Sequence, residues 1–274
     1  MVKLYTDTNA LHYFGIAFAT DRLPDDVPVQ LLLSPLSIME LLSHLGTNLA
    51  QSAFNAIRAL PCVHNAGGTG MLPFSDDFFR MALFNLPPGE DTITPALNRA
   101  VNNVLAAADA EKLREVGIEM RALLDREKDR EAANFQALLT SLRLEGPLDE
   151  TQNQAIFARS IARRAGINEK DVDAARVVAQ LDAHFLFERE RMRVGTATRD
   201  YNVAKRKNDL FDAELLVYLA DTSLHFLTSD QGFRRASQSP QAARIHLVTP
   251  ESLSTAETAT ATLRAIAEDA APAH

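Results

Sequence analysis

Val2 to Thr6 alternate apolar and polar side chains and end at the triplet Asp7-Thr8-Asn9, the pattern of a short strand that stops at a turn. Residues 9–20 then read as a short helix, with Ala10-Leu11-His12-Tyr13-Phe14 supplying its apolar face. A polar loop holding Pro24, Asp25, Asp26 and Pro28 leads into Val29 to Leu33, an unbroken apolar run of the kind buried on both faces of a parallel sheet. Ser34-Pro35 breaks it. Ser37, three residues before Glu40, matches a capping box, which puts Glu40 in the first turn of a helix running on through Leu45.

The middle of the chain changes character. Residues 61–93 are rich in turn formers, with a short apolar helix near Phe78 to Phe84. From Thr94-Pro95 the spacing is helical: Leu97, Val101, Val104 and Leu105, then Leu113, Val116, Met120, Leu123 and Leu124, then Phe135, Leu138, Leu139 and Leu142, stopped by Gly146-Pro147. A helix carrying Ile156, Phe157 and Ile161 ends at Gly166, and another runs from near Asn168 to near Gly195. After residue 199 alternation of helix and strand returns: a helix from Asp209 to Ala220, a strand Leu224 to Leu227 ending in Thr228-Ser229-Asp230, a short helix at Phe233 to Ala236, and a strand Arg244 to Val248. Beyond Leu253 a Thr/Ala-rich tail reads as one helix that frays. The predicted class is α/β, a parallel sheet flanked by helices, built from 1–60 and 200–255, with a large all-helical insertion at 61–199 and a helix or tail at 256–274.

Composition narrows the setting. Hydrophobic residues make up 46% of the 274, enough for a sizeable core. One cysteine, Cys62, excludes an intramolecular disulfide, and no stretch approaches the roughly 20 apolar residues that span a bilayer, so the expectation is a cytoplasmic protein with no membrane partner. The N-terminus reaches Asp7 before any long apolar run, unlike a signal peptide. A net charge of −8 argues against a general nucleic-acid coat. A local basic run is nonetheless present, Arg189, Arg191, Arg193, Arg199, Lys205, Arg206 and Lys207, just ahead of the acids Asp209 and Asp212. It suits either a solvated helix face or a surface that holds a phosphate backbone.

The carboxylates carry the chemistry. In an open parallel sheet ligands collect at the carboxyl ends of the strands. Asp7 follows the first strand, Glu40 opens the helix after the second, Asp230 follows the Leu224 strand, and Asp212 lies in the first turn of the helix before it. Each has a plain structural use as a helix cap, a turn residue or a complement to a helix dipole. Together they would repel one another unless protons or a divalent cation compensated, and Mg²⁺ or Mn²⁺ prefers such oxygen ligands. The histidines His12, His44, His64, His184, His225 and His246 lack metal-ligand spacing and read as surface or core residues.

The order of these acids resembles the PIN-domain nucleases. The resemblance rests on Lys3-Leu4-Tyr5-Thr6-Asp7-Thr8-Asn9, on Leu33-Ser34-Pro35-Leu36-Ser37-Ile38-Met39-Glu40-Leu41-Leu42, on Asn208-Asp209-Leu210-Phe211-Asp212-Ala213, on Phe226-Leu227-Thr228-Ser229-Asp230-Gln231-Gly232-Phe233 and on Val248-Thr249-Pro250-Glu251. It implies a three-layer fold with a parallel sheet between helices and an Mg²⁺- or Mn²⁺-dependent endoribonuclease acting on single-stranded RNA. Catalysis falls to Asp7, Glu40, Asp212 and Asp230, and metal binding to Asp7, Asp212, Asp230 and Asp209. Asn9, Thr228 and Asn208 would orient the ligands from behind, and Arg199, Lys205, Arg206 and Lys207 would hold the RNA. Asp209 and Asp212 both suit the third acidic position; the eighteen-residue separation from Asp230 favours Asp212. Many family members are toxins of toxin–antitoxin pairs and many dimerise, which makes an antitoxin, another protein partner or a second copy candidate partners. The insertion is far larger than in compact toxins.

Two other readings compete. A haloacid-dehalogenase-type phosphohydrolase also begins with an acid at the end of strand one, but it wants a second aspartate two residues on, where Asn9 stands and cannot transfer a proton. A non-catalytic PIN-like domain would bind RNA or a protein through the insertion, and would have no need of the four acids.

Overall fold

A computed structural model describes residues 1–63, 70–89, 93–146, 148–198 and 200–270. Its centre is a five-stranded sheet made of β1 (Val2–Thr6), β2 (Val29–Leu33), β3 (Gly70–Met71), β4 (Leu224–Thr228) and β5 (Ile245–Leu247), in the order β3-β2-β1-β4-β5. Every pairing is parallel. The chain builds outward from β1 to β2 and β3, then crosses to the other side for β4 and β5. The gap between β1 and β4 is therefore the switch point at which open parallel sheets form crevices.

Alternation along the strands divides the interior in two. Leu4, Leu31, Leu33 and Leu227 face one core, shared with Phe14 of α1 (Thr8–Ala17), Leu41 of α2 (Pro35–His44), Ile57 of α3 (Ala50–Ala59) and Leu97 of α5 (Ile93–Ala106). Tyr5, Leu32, Leu224 and Phe226 face the second core, which takes Phe78 of α4 (Ser75–Phe78), Ile161 of α7 (Glu150–Arg164), Val177 of α8 (Ala174–Gln180) and Phe187 of α9 (Asp182–Ala197). Helices thus cover both faces, a three-layer α/β arrangement. Among the described residues no helix is long and apolar enough to cross a membrane.

The block 61–199 is woven into this sandwich: α5 joins the first core and α7 to α9 supply the second. It is also not all-helical, because β3 lies inside it and extends the sheet, with Leu72 donating its N–H to the Leu33 carbonyl at 2.9 Å. Two residues cannot display a period, so nothing in the sequence marks this strand. The helix expected from near Asn168 to near Gly195 is broken at Leu181, where Gln241 bonds both sides: it accepts from the Ala183 N–H at 3.0 Å and donates to the Gln180 carbonyl at 2.7 Å. The capping box at Ser37 does not form. Pro35 begins α2, Ser37 donates to the Thr6 carbonyl at 2.9 Å, and Glu40 falls in the second turn. Asp212 likewise sits in the second turn of α10 (Asn208–Leu215), because that helix begins at Asn208; beyond Leu215 the chain tightens into a 3₁₀ turn at Leu216–Ala220. The tail forms a capped helix, α11 (Ala256–Asp269), that buries Leu263 and Ile266.

The longest element is α6 (Arg114–Glu145), 32 residues and so roughly 48 Å at 1.5 Å per residue. Its first turns cross the end of α2 at glycines. A Cβ on Gly117 would stand 2.1 Å from the Gly46 nitrogen and 2.5 Å from the Leu45 carbonyl carbon, so the two backbones meet with no room for a side chain. We expect Gly117→Ala to lower stability by about 3 kcal/mol, the upper range for overpacking a fixed contact. Urea unfolding checks this; an unchanged midpoint would show that the crossing yields.

Candidate functional site

The carboxyl ends of β1 and β4 lie side by side, with Thr6 paired to Leu227. The next residues on each strand are Asp7 and Thr228, and the Thr228 hydroxyl donates to Asp7 Oδ2 at 2.6 Å. The same hydroxyl oxygen accepts the Asp230 N–H at 2.9 Å, so one fully buried threonine positions two acids. Asp7 Oδ1 caps α1 by accepting from the Ala10 N–H at 2.8 Å, and Asp230 Oδ1 accepts from the Gly232 N–H at 2.7 Å. Capping use and clustering occur together in these residues.

Asp212 comes to this edge on α10, which three neighbours hold in place. Tyr5 on β1 donates to the Leu215 carbonyl at 2.7 Å, and a ring nitrogen of His184 meets the Ala213 carbonyl at 2.7 Å. Arg164 of α7 grips Glu214 with two bonds of 2.6 Å. Burial pushes the Glu214 carboxyl up, and the Arg164 guanidinium outweighs it, holding it near 2. This fixed ion pair lets α10 present Asp212 against repulsion.

Charge sorts the five acids into two groups. Glu40 and Asp209 have partners: Glu40 Oε2 accepts from the Thr8 hydroxyl at 2.7 Å and Oε1 lies 3.4 Å from Lys128 Nζ, while Asp209 Oδ2 is paired with Arg235 at 2.9 Å and with Arg206 at 4.0 Å. Asp7, Asp212 and Asp230 have no basic partner among the described residues. Burial, with the charges of Asp230, Glu40, Asp209 and Asp7, pushes the Asp212 carboxyl up to about 8. Burial outweighs the bonds from Thr228 and Ala10 at Asp7, and with Asp230 and Glu40 adding, its carboxyl rises to about 6.

Not every expected group joins the cluster through a contact. Asn9 is exposed on α1, and its neighbour Thr8 holds the adjacent Glu40 instead. Asn208 accepts from Lys128 at 2.9 Å. In the basic run Arg189 pairs with Glu150, Arg191 with Glu188, Arg193 with Glu190 and Lys207 with Asp129. Lys205 and Arg206 remain exposed, the latter over the Tyr201 ring, and Arg199 lies outside the described residues, as does His64. Among the described histidines, His12 bonds His44 at 2.9 Å and the Ser52 side chain at 2.8 Å, His225 bonds His246 at 3.0 Å, and His184 meets the backbone as above.

Among the described residues no three His, Cys, Asp or Glu side chains close around a point where one ion would sit. The donor chemistry of the inner acids nonetheless fits a hard divalent cation. Asp7, Asp212 and Asp230 bring only carboxylate oxygens, and two of them hold protons into a range where carboxylates are ordinarily ionised. No protein-family model, no curated protein and no solved structure matches this chain.

The raised carboxyls set the pH response of the metal-free protein. Asp212 titrates near 3.8 when unfolded and near 8 when folded, so the native state binds more protons between those values. Stability therefore falls as pH rises from about 4 to about 8, with Asp7 contributing the lower part of that window. Asp212→Asn should flatten the slope and raise the pH 8 unfolding midpoint. Urea unfolding from pH 5 to 8 in EDTA measures it, and an equal slope in the variant would contradict the assignment.

Proposed function

We propose that this protein is a metal-dependent endoribonuclease of the PIN-domain kind, acting on single-stranded RNA. The observation that carries it is the inner group of acids, Asp7, Asp212 and Asp230, gathered without a basic partner at the sheet's switch point. The order of acids along the chain that resembles PIN nucleases supplies further support, as does the parallel sheet between two helical layers.

Asp7, Asp212 and Asp230 would hold Mg²⁺ or Mn²⁺, with Asp209 beside them on α10 and Glu40 at the rim. A divalent cation bound there supplies Lewis acidity toward water and the phosphodiester. The chain's own groups do the positioning. Thr228 fixes Asp7 and orients the Asp230 backbone, and the Ala10 N–H keeps Asp7 from rotating. Arg235 draws Asp209 aside, which leaves Asp212 as the α10 carboxylate that faces the other acids uncompensated. Lys205 and Arg206, exposed just before α10, would be the members of the basic run that meet a phosphate backbone, Arg206 from beside Asp209 at 4.0 Å.

Labelled single-stranded RNA incubated with Mn²⁺, with and without EDTA, tests the activity. We expect cleavage that EDTA abolishes, and near-complete loss in Asp7→Asn and Asp230→Asn. Asp212→Ala should lose at least an order of magnitude more turnover than Asp209→Ala, whose loss should be about 10–100-fold, as for a group that orients a ligand. Mobility shifts without cleavage would point to a binding domain, and a dead Asp209→Ala beside a near-normal Asp212→Ala would reverse the roles on α10.

Neutralising Lys205 and Arg206 together should reduce the slope of log K against log salt by about 1.4, at about 0.7 per phosphate contact on a single strand. Turnover at saturating RNA should change much less, since such contacts bind ground and transition states alike. An unchanged slope would return both residues to an ordinary solvated surface.

A further inference from the structure

Lys128 reaches the carboxylate edge from the middle of α6, far along the chain from Glu40, the acid it meets. Its side chain is only 12% exposed. Nζ donates to Asn208 Oδ1 at 2.9 Å, lies 3.4 Å from Glu40 Oε1, and stands 5.4 Å from the centre of the Phe211 ring. Asn208 and Phe211 belong to α10 and Glu40 to α2, so this ammonium bridges the two helices that flank the acids. The next residue, Asp129, pairs with Lys207 immediately before α10. Long lysine side chains ordinarily send their charge to water. This one is enclosed, and the carboxylate it meets already accepts a bond from Thr8 on its other oxygen.

The charge arithmetic follows. Five carboxylates meet at this edge, and each of the two outer ones has a built-in cation: Arg235 for Asp209 and Lys128 for Glu40. Asp7, Asp212 and Asp230 have no such cation among the described residues, and would present three negative charges once a bound ion had displaced the protons that Asp7 and Asp212 hold. One divalent cation offsets most of that, whereas a second would need Glu40, and taking it would strip a largely enclosed lysine of its counter-ion at high cost. We propose that Lys128 is a fixed cation of the cluster, holding Glu40 where a second divalent ion would otherwise bind, so that the site takes one ion. The inference rests on the metal-site reading above and assigns Lys128 as a positioning residue rather than a catalytic one.

The test counts ions rather than turnover. Mn²⁺ binding to the full chain is titrated by calorimetry, with free Mn²⁺ followed by electron paramagnetic resonance. The expected count is one for the wild type, two for Lys128→Met and one for Lys128→Arg, which restores the charge. The double variant Lys128→Met/Glu40→Gln should return to one, because the released carboxylate is gone. Lys128→Gln, which keeps a donor for Asn208, should also give two, and supplies the count if the methionine variant does not fold. Two ions in the wild type, none in the wild type, or one in both Lys128→Met and Lys128→Gln would overturn the proposal. RNA cleavage in the same samples separates the premises: one bound ion with intact RNA defeats the nuclease reading alone, whereas cleavage with two ions in the wild type defeats the role of Lys128 alone.

Discussion

Parallel pairing of β1 with β4 is the constraint on which the site depends. It places Asp7 and Thr228 at matched positions on neighbouring strands, and so puts two acids within reach of one hydroxyl. Nothing in that arrangement is favourable for the charges themselves, since like carboxylates at a partly buried edge raise one another's proton affinity. What holds them is the sheet. A ladder buried between two cores does not slip, because a one-residue shift would turn Leu4 and Tyr5 to the wrong layers. Strand register is thus converted into the distance between two acids.

The third acid needs a different kind of support, since a short helix has no ladder to fix it. The bonds that anchor α10 come from the sheet and from the second helical layer: Tyr5 from β1, Arg164 from α7 and His184 from α9. Two of the three elements belong to the 61–199 block. That block is accordingly part of the machine that aims Asp212, and cutting it away would remove a core layer together with these anchors. The same holds for α6, whose glycine crossing at Gly46 and Gly117 sets how closely it lies on α2, and hence whether residue 128 can reach Glu40.

Legibility in the sequence followed physical range. The strands β1, β2 and β4 are long enough to show alternation or a continuous apolar run, and their ends carry the acids, so the sheet's centre and Asp7 and Asp230 could be read directly. β3 is too short to have a period. The break at Leu181 is made by Gln241, sixty residues away in sequence, and a pattern confined to a helix cannot reveal it. Ser37 matched a capping motif but was taken by the Thr6 carbonyl, because Pro35 had already started the helix. Lys128 is the clearest loss: it lies within Arg126-Glu127-Lys128-Asp129-Arg130-Glu131, a run with the look of any solvated helix face, and only tertiary packing distinguishes it.

In the basic run, composition alone does not show which cations are already paired. Seven cations within nineteen residues suggest a phosphate-binding surface, yet Arg189, Arg191, Arg193 and Lys207 each have a carboxylate partner, and Arg206 lies 4.0 Å from Asp209. Three of those partners, Glu150, Glu188 and Glu190, lie on the two neighbouring helices α7 and α9, and the pairs at Arg191 and Arg193 follow the i,i+3 spacing that a helix provides automatically. Asp209 and Asp212, three residues apart on one helix, differ for the same reason. Arg235, brought by the turn after β4, meets the first and not the second, so identical side chains on one helix stand in different electrostatic surroundings because of a single long-range contact. Among the described residues, the inner carboxylates are told from the outer ones by having no cation within reach, and that is a property of tertiary structure alone.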